Sequence, residues 1–117
     1  MNSCDRALVR VAGVSGAIAV VMGAYGAHVF RQKQRPEEFK VVKAYETGNR
    51  YHLIHSAVLL AAPLTRRPQL VGGLLIGGML LFSGGCYIYS LTDNQCIRKV
   101  TPFGGLMLIA AWVCMAL

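Results

Sequence analysis

Residues 70–91 read LVGGLLIGGMLLFSGGCYIYSL, and this stretch decides the structural class of the protein. It contains no charged side chain over 22 consecutive residues. An α-helix rises about 1.5 Å per residue, so a helix of this length crosses the roughly 30 Å hydrocarbon core of a bilayer. The stretch therefore predicts a membrane-spanning helix.

The composition of the whole chain supports the same class. Hydrophobic residues make up 55% of the 117 residues, and charged residues only 15%. Average soluble chains contain about 25% charged residues. The mean hydropathy is +0.48, so a water-soluble fold would expose much of its apolar surface. The length suits one domain.

Three further stretches complete a set of four predicted spans, at residues 8–30, 48–64, 70–91 and 101–117. The second is the weakest, because its most apolar part covers only residues 53–64. It is predicted to begin near Gly48 and to carry polar side chains into the membrane or its interface. Thr101 suits an N-cap and Pro102 a first helical position. We predict an all-α fold: an integral-membrane four-helix bundle, with residues 1–117 as a single membrane domain.

The polar segment between the first two spans has an amphipathic pattern. Pro36 suits a helix start, and Phe39, Val42 and Tyr45 recur at helical spacing. The pattern predicts a short amphipathic helix over residues 36–47 that lies at the membrane surface. An outward extension of the second span, as one long helix, fits the pattern equally well. Gly48 is expected to end that helix or to let it bend.

The formal net charge of +7 does not indicate a nucleic-acid-binding protein. The basic residues flank the apolar spans instead of covering one soluble face, and this arrangement is common in membrane proteins. Four antiparallel spans put eight basic residues on one side and four on the other. The positive-inside rule places the eight in the cytoplasm or the mitochondrial matrix. Anionic lipid headgroups are the expected partners of five of them: Arg31, Lys33, Arg35, Lys40 and Lys43.

Small residues inside the spans predict close helix packing. Helices in lipid associate largely through close backbone approach, which glycine permits. A compact bundle is a better explanation than a dedicated oligomerisation face, although the same faces suit both. The glycines concerned are Gly16, Gly23, Gly26, Gly73, Gly77, Gly104 and Gly105.

Five polar residues of the spans form a candidate pocket: His28, Asn49, His52, His55 and Tyr87. Antiparallel helices are expected to bring them to one end of the bundle. A metal centre, a haem pair, a quinone-headgroup pocket or a proton-handling pocket would use such residues. Interfacial side chains that bond one another are the plainer alternative. No acidic residue lies within a span to complete a metal site or a proton relay. We therefore expect no catalytic residue, no metal, no cofactor and no enzymatic reaction.

Four strings in order resemble a known family. They are GAYGAH at residues 23–28, NRYHLIHS at 49–56, FSGG at 82–85 with Tyr87, and TPFGG at 101–105 followed by Trp112. They resemble the small membrane family that includes transmembrane protein 256 and bacterial proteins of a domain of unknown function. The resemblance implies a four-span helical membrane protein and no established reaction. It also implies a mitochondrial inner-membrane location.

Three functional hypotheses follow. The favoured one is a structural or accessory subunit, or an assembly factor, of a larger membrane complex that contains other membrane subunits. The first alternative is a component of a small transporter or channel. The second is a cofactor-binding or quinone-binding protein that uses His28, His52 and His55.

Overall fold

A computed structural model describes residues 2–30, 38–92 and 95–117 of the chain. These residues form four α-helices: α1 (Ser3–Val29), α2 (Phe39–Leu59), α3 (Pro68–Thr92) and α4 (Thr101–Ala116). Short 3₁₀ helices at Ala62–Leu64 and Gln95–Lys99 precede α3 and α4. Each helix packs mainly against the next one along the chain, and α1 barely contacts α3.

Three segments of the described chain are long and apolar enough to cross a membrane. They are Ser3–Val29, Pro68–Thr92 and Cys96–Ala116, the last of which combines a 3₁₀ turn with α4. Their outer faces expose large apolar side chains; Val14, Leu80 and Phe103 are 63%, 70% and 63% exposed. Such surfaces suit contact with lipid. The described residues are thus all-helical, and the predicted second span, residues 48–64, is not among the three segments that are long and apolar enough to cross a membrane.

The first helix begins earlier than the predicted span, at Ser3 instead of residue 8. Asn2 and Asp5 form a capping box: the Asn2 side chain accepts a hydrogen bond from the Asp5 backbone N–H at 2.8 Å, and Asp5 accepts one from the Asn2 backbone N–H. This pair satisfies two N–H groups that a helix start leaves without partners.

The predicted interfacial helix is not a separate element in the described chain. Residues 39–47 are the first turns of α2, which continues without a break to Leu59, whereas residues 36–37 lie outside the described residues. Tyr45 explains the difference, because it is only 2% exposed and its hydroxyl donates a hydrogen bond to the Met22 carbonyl of α1. Tyr45 of the apolar pattern therefore packs on protein, whereas Phe39 remains 62% exposed.

Gly48 neither ends α2 nor marks a bend at the surface. It lies inside the helix where α3 passes closely, and a Cβ at this position would come within 2.5 Å of the Cys86 Cβ. The glycine is needed for helix contact, since no side chain fits between the two helices.

The start of α4 differs from the prediction by one residue. Val100 is the N-cap, Thr101 is the first helical residue, and Pro102 occupies the second position. The Thr101 hydroxyl donates to the Ile97 carbonyl at 3.2 Å instead of capping the new helix. The preceding 3₁₀ helix supplies that carbonyl and thereby shifts the boundary.

The apolar core lies where α2, α3 and α4 meet towards the end that carries the C-terminus. Leu59, Leu75 and Ala111 have no exposed surface there, and Leu8 and Ala12 extend the core to α1. At the same end the Arg66 guanidinium donates to the Leu117 carbonyl at 3.3 Å. The α2–α3 connection and the C-terminus thus lie together, as antiparallel helices require.

The seven glycines predicted to pack helices have different surroundings. A Cβ at Gly26, Gly77 or Gly104 would overlap a neighbour, and one at Gly23 would lie 3.0 Å from the Asn49 Oδ1. At Gly16 and Gly105 a Cβ would make ordinary contacts of 3.9 and 3.6 Å. Nothing lies within 4 Å of a Cβ built on Gly73. Of the GxxxG pair of α3, Gly77 therefore faces α4, whereas Gly73 faces open space.

Candidate functional site

A partly buried polar network joins the first three helices near the middle of the bundle. The Asn49 Nδ2 of α2 donates to the Ala19 carbonyl of α1 at 2.8 Å and to the Tyr87 hydroxyl of α3 at 3.1 Å. The same hydroxyl lies 2.9 Å from the His52 Nδ1. Gly23 leaves the space that the Asn49 side chain occupies. Two predicted pocket residues of α2 thus meet the predicted residue of α3.

The network continues on the other side of the His52 ring. His52 Nε2 lies 3.0 Å from the Ser15 Oγ, which lies 2.6 Å from the Ser56 Oγ. The Ser56 hydroxyl donates to the His52 carbonyl at 2.7 Å. We call Asn49, Tyr87, His52, Ser15 and Ser56 the polar network. Each of the three helices contributes at least one of its side chains.

The ends of the polar network fix the direction of its hydrogen bonds. The His52 carbonyl only accepts, so the Ser56 proton is used there, and Ser15 must donate to Ser56. Because the Ser15 proton is then used, the His52 Nε2 must carry a proton and donate to Ser15. A neutral imidazole leaves Nδ1 as an acceptor, so it receives the Tyr87 proton.

This assignment gives every group in the polar network a partner when His52 is neutral. The Tyr87 oxygen accepts from Asn49, and the other N–H of that amide is used by the Ala19 carbonyl. A second proton on His52 would require Nδ1 to donate, and the Tyr87 hydroxyl proton would then lose its acceptor. Because both ends terminate on backbone carbonyls, the network fixes the relative positions of α1, α2 and α3.

His55 belongs to a different contact. The Trp112 indole N–H of α4 donates to the His55 Nε2 at 3.1 Å, and the rings meet edge to face with centroids 5.9 Å apart. Since indole only donates, the His55 Nε2 is an acceptor. Its Nδ1 must then carry the proton and donate to the Tyr51 carbonyl at 2.7 Å. Both nitrogens of this buried ring are therefore used by the protein.

The His55–Trp112 contact predicts a spectroscopic signature, because the chain contains one tryptophan. Replacement of His55 by Leu removes the acceptor of the indole proton. We expect the emission maximum of Trp112 to move to shorter wavelength in detergent-solubilised protein, since a hydrogen-bonded indole emits at longer wavelength than an unbonded one. Steady-state fluorescence of His55→Leu, with His28→Leu as the control, measures this change. Equal shifts in both variants, or none in either, would contradict the contact.

His28 does not join the other predicted pocket residues. It is exposed in the last turn of α1, where a basic side chain suits the helix dipole. Ser15, which contacts His52, lies 13 positions earlier on the same helix, or about 20 Å along its axis. The expectation that all three histidines share one end of the bundle is therefore corrected. The reason is that α2 begins at Phe39, so His52 lies deep inside it.

Three residues of these contacts were absent from the predicted pocket: Ser15, Ser56 and Trp112. Polar residues inside a membrane span usually face other helices, and this rule applied to Ser15 and Ser56 would have marked them. No sequence signal identified Trp112 as the partner of His55. The described residues contain no group of three His, Cys, Asp or Glu side chains placed to hold a metal.

A lateral groove separates α1 from α3, and we call it the α1–α3 groove. Its volume is about 620 Å³. It follows α1 from Arg10 to Met22, a distance of about 18 Å at the helical rise. His52, Tyr87 and Ser15 form part of its floor, and its walls are apolar. The wall residues include Val11, Val14, Ile18, Ile76, Leu80 and Gly84.

Two residues of α3, Ser83 and Gly84, are distinctive among those that line the α1–α3 groove. A Cβ on Gly84 would have nothing within 4 Å, so this wall has room for a larger side chain. The Ser83 Oγ is buried and has no hydrogen-bond partner among the described residues, although Ser83 also lines the groove. Buried hydroxyls without a partner are rare in folded proteins.

Comparison with known proteins places the chain among small membrane proteins. Residues 22–105 match the sequence profile of a protein family of unknown function, DUF423. The chain is 32% identical over 114 residues to the UPF0382 membrane protein C1782.12c of Schizosaccharomyces pombe, covering 91% of this chain and 95% of that protein. It is 32% identical over 117 residues to the UPF0382 inner membrane protein YgdD of Escherichia coli K12, covering 95% and 87%.

A further relative is the UPF0382 membrane protein YwdK of Bacillus subtilis, which is 29% identical over 115 residues, 92% of this chain and 91% of that protein. No solved structure matches the chain significantly. The four ordered strings around His28, Asn49, Ser83 and Thr101 thus led to the same group of proteins as the comparisons. The chain belongs to the DUF423 family of membrane proteins of unknown function.

Proposed function

We propose that this chain is a membrane-embedded interaction protein, an accessory subunit or assembly factor that holds an apolar transmembrane segment of another protein in the α1–α3 groove. The observation that carries the proposal is the groove itself: a space of about 620 Å³ that opens sideways between two membrane-spanning helices. Protein grooves of this kind accept a helix through apolar contacts. The proposal includes no chemical reaction of the chain.

The polar network supports this function because it makes the groove rigid. Its hydrogen bonds connect the two helices that form the walls, α1 through Ser15 and α3 through Tyr87, to His52 of α2. A preformed surface loses little conformational entropy on binding. A network that ends on backbone carbonyls gives no comparable support to the alternative of a proton channel or transporter component.

The proposal predicts that filling the α1–α3 groove removes the partner. Gly84→Leu places a side chain in the groove without a clash at its Cβ. We expect the wild-type chain, 12.7 kDa, to migrate in a larger complex on native gels of gently solubilised membranes. Recovery of the co-purifying protein should fall about tenfold or more in the variant, since overpacking costs about 1–3 kcal/mol.

Gly73→Leu is the matched control for this experiment. It makes the same change on the same helix, also in open space, but outside the groove. The control should retain the complex, and both variants should melt near the wild-type temperature. Migration of the wild type only as a lone chain or a small homo-oligomer, or equal loss in both variants, would show that the proposal is wrong.

A second candidate function is the binding of a small lipid-phase molecule, such as a quinone, in the same groove. The polar floor of the groove favours it, since His52, Tyr87 and Ser15 are side chains that a polar group of such a ligand would meet there. Organic extracts of the same purified preparations separate the two functions. A stoichiometric small molecule in the wild type that is missing from Gly84→Leu would select the second candidate.

For the location we propose the mitochondrial inner membrane, and this part of the proposal is supported only by the family resemblance. Subcellular fractionation of the tagged chain tests it directly. Recovery in another membrane would leave the interaction proposal unaffected, because that proposal depends on the groove and not on the organelle.

A further inference from the structure

A second cavity lies at the opposite end of the bundle from the C-terminus and is independent of the α1–α3 groove. Its volume is about 470 Å³, and it lies among the first turns of α2, the last turns of α3, and the start of α4. We call it the basic cleft. Lys40, Lys43 and Arg98 line it, and no acidic residue does so among the described residues.

The three cations come from two elements far apart in sequence. Lys40 and Lys43 lie on α2, whereas Arg98 lies in the 3₁₀ helix before α4. Positive side chains from two elements therefore reach one cavity, and their charge attracts an anion there. The N-terminus of α4 adds to the positive potential. Its N-cap, Val100, has no side chain that accepts a hydrogen bond from the first N–H groups of the helix.

Aromatic rings hold two of these cations at the cleft. The Lys43 Nζ lies 5.6 Å from the centroid of the Phe39 ring, and the Arg98 Cζ lies 5.3 Å from that of Tyr89. Both distances suit cation–π contacts. Because both rings also line the cleft, the charges are positioned before any ligand arrives.

The remaining lining combines hydroxyl groups with apolar surface. Thr47 and Thr101 add hydroxyls, and Ala44 and Pro102 add apolar contacts beside Phe39, which is 62% exposed. A ligand that matches this surface has an anionic head with several acceptor oxygens and an apolar body. The position at one end of membrane-spanning helices is that of lipid headgroups.

We propose that the basic cleft binds the phosphate-bearing headgroup of an anionic phospholipid. Lys40, Lys43 and Arg98 contact the phosphate oxygens, and Phe39 and Pro102 contact the first part of the acyl chains. Lys40 and Lys43 were expected to meet lipid headgroups as parts of a surface arm. In the cleft they form one side of a defined site, and Arg98, which the sequence alone did not associate with them, lies on another element that lines it.

The test measures lipid retention by native mass spectrometry of the full chain released from nanodiscs. The nanodiscs contain phosphatidylcholine with either phosphatidylglycerol or no anionic lipid. We expect the wild type to retain phosphatidylglycerol at least about tenfold more than phosphatidylcholine, and the variant Lys40→Gln/Lys43→Gln/Arg98→Gln to lose that preference. Ala44→Leu, which narrows the cleft and leaves its charge unchanged, should lose it as well.

The matched control removes three charges from the other end of the bundle, with Arg6→Gln/Arg66→Gln/Arg67→Gln. It should keep the preference, because these residues do not line the basic cleft. Equal loss in the control and the cleft variant, or unchanged retention by both cleft variants, would overturn the proposal. Inorganic phosphate at millimolar concentration should not displace the lipid. Displacement would assign the cleft to a soluble phosphate compound instead.

Discussion

Gly104→Ala is expected to destabilise the protein by about 1–3 kcal/mol, although alanine is the better helix former. A Cβ at Gly104 would overlap the Phe82 backbone nitrogen and the Leu81 carbonyl carbon of α3. Backbone atoms inside a helix cannot rotate away as a side chain does. The variant must therefore move α3 and α4 apart, which weakens contacts along their whole interface. Thermal unfolding in detergent, followed by far-ultraviolet circular dichroism, measures the loss.

The neighbouring glycine provides the control. A Cβ at Gly105 would lie 3.6 Å from the Phe82 Cδ2, which is an ordinary contact. Gly105→Ala should therefore match the wild type or gain up to about 1 kcal/mol from its helix propensity. If both variants unfolded at the same temperature as the wild type, this would contradict the inference that α3 and α4 lie too close at Gly104 to admit a Cβ.

Tyr87→Phe is expected to destabilise the protein by about 1–3 kcal/mol, with almost no change in side-chain volume. Its hydroxyl accepts from Asn49 and donates to His52, so its removal leaves an amide N–H and a ring nitrogen without partners. Water does not replace the lost bonds easily, because the groove beside His52 and Tyr87 has apolar walls. The same unfolding measurement applies.

Two comparisons make this second prediction specific. Tyr25→Phe removes a hydroxyl from a tyrosine that is 50% exposed on α1 and should change stability little. Asn49→Ala combined with Tyr87→Phe should cost less than the sum of the single changes, because the two residues share one network. Additive effects, or equal effects of the two tyrosine variants, would contradict the polar network.

The sequence predicted the all-helical membrane class and three members of the polar network, Asn49, His52 and Tyr87. Apolar stretches such as residues 70–91 reveal spans because hydropathy is a local property of the chain. Asn49, His52 and Tyr87 were identified as candidates because polar side chains inside spans are costly unless they find partners. The residue type and its position inside a predicted span were enough to identify each candidate, without knowledge of its partner.

The depth of α2 could not be predicted in the same way. Its first turns carry Lys40, Lys43 and Glu46 and look like a surface helix. These turns become part of a continuous helix only because Tyr45 packs against Gly26 and donates a hydrogen bond to the Met22 carbonyl. This single extension moves His52 to the level of Ser15 and away from His28.

The sequence by itself determined that this chain forms apolar helices for a bilayer and which polar residues those helices carry. The tertiary structure alone decided which of them meet: His52 with Ser15 and Tyr87, His55 with Trp112, and Lys43 with Arg98 around one cleft. The physical reason is that the two kinds of property act over different distances along the chain. Hydropathy acts residue by residue along the chain, whereas a hydrogen bond between helices depends on rotation, depth and close approach, which glycines such as Gly104 set only after the helices pack.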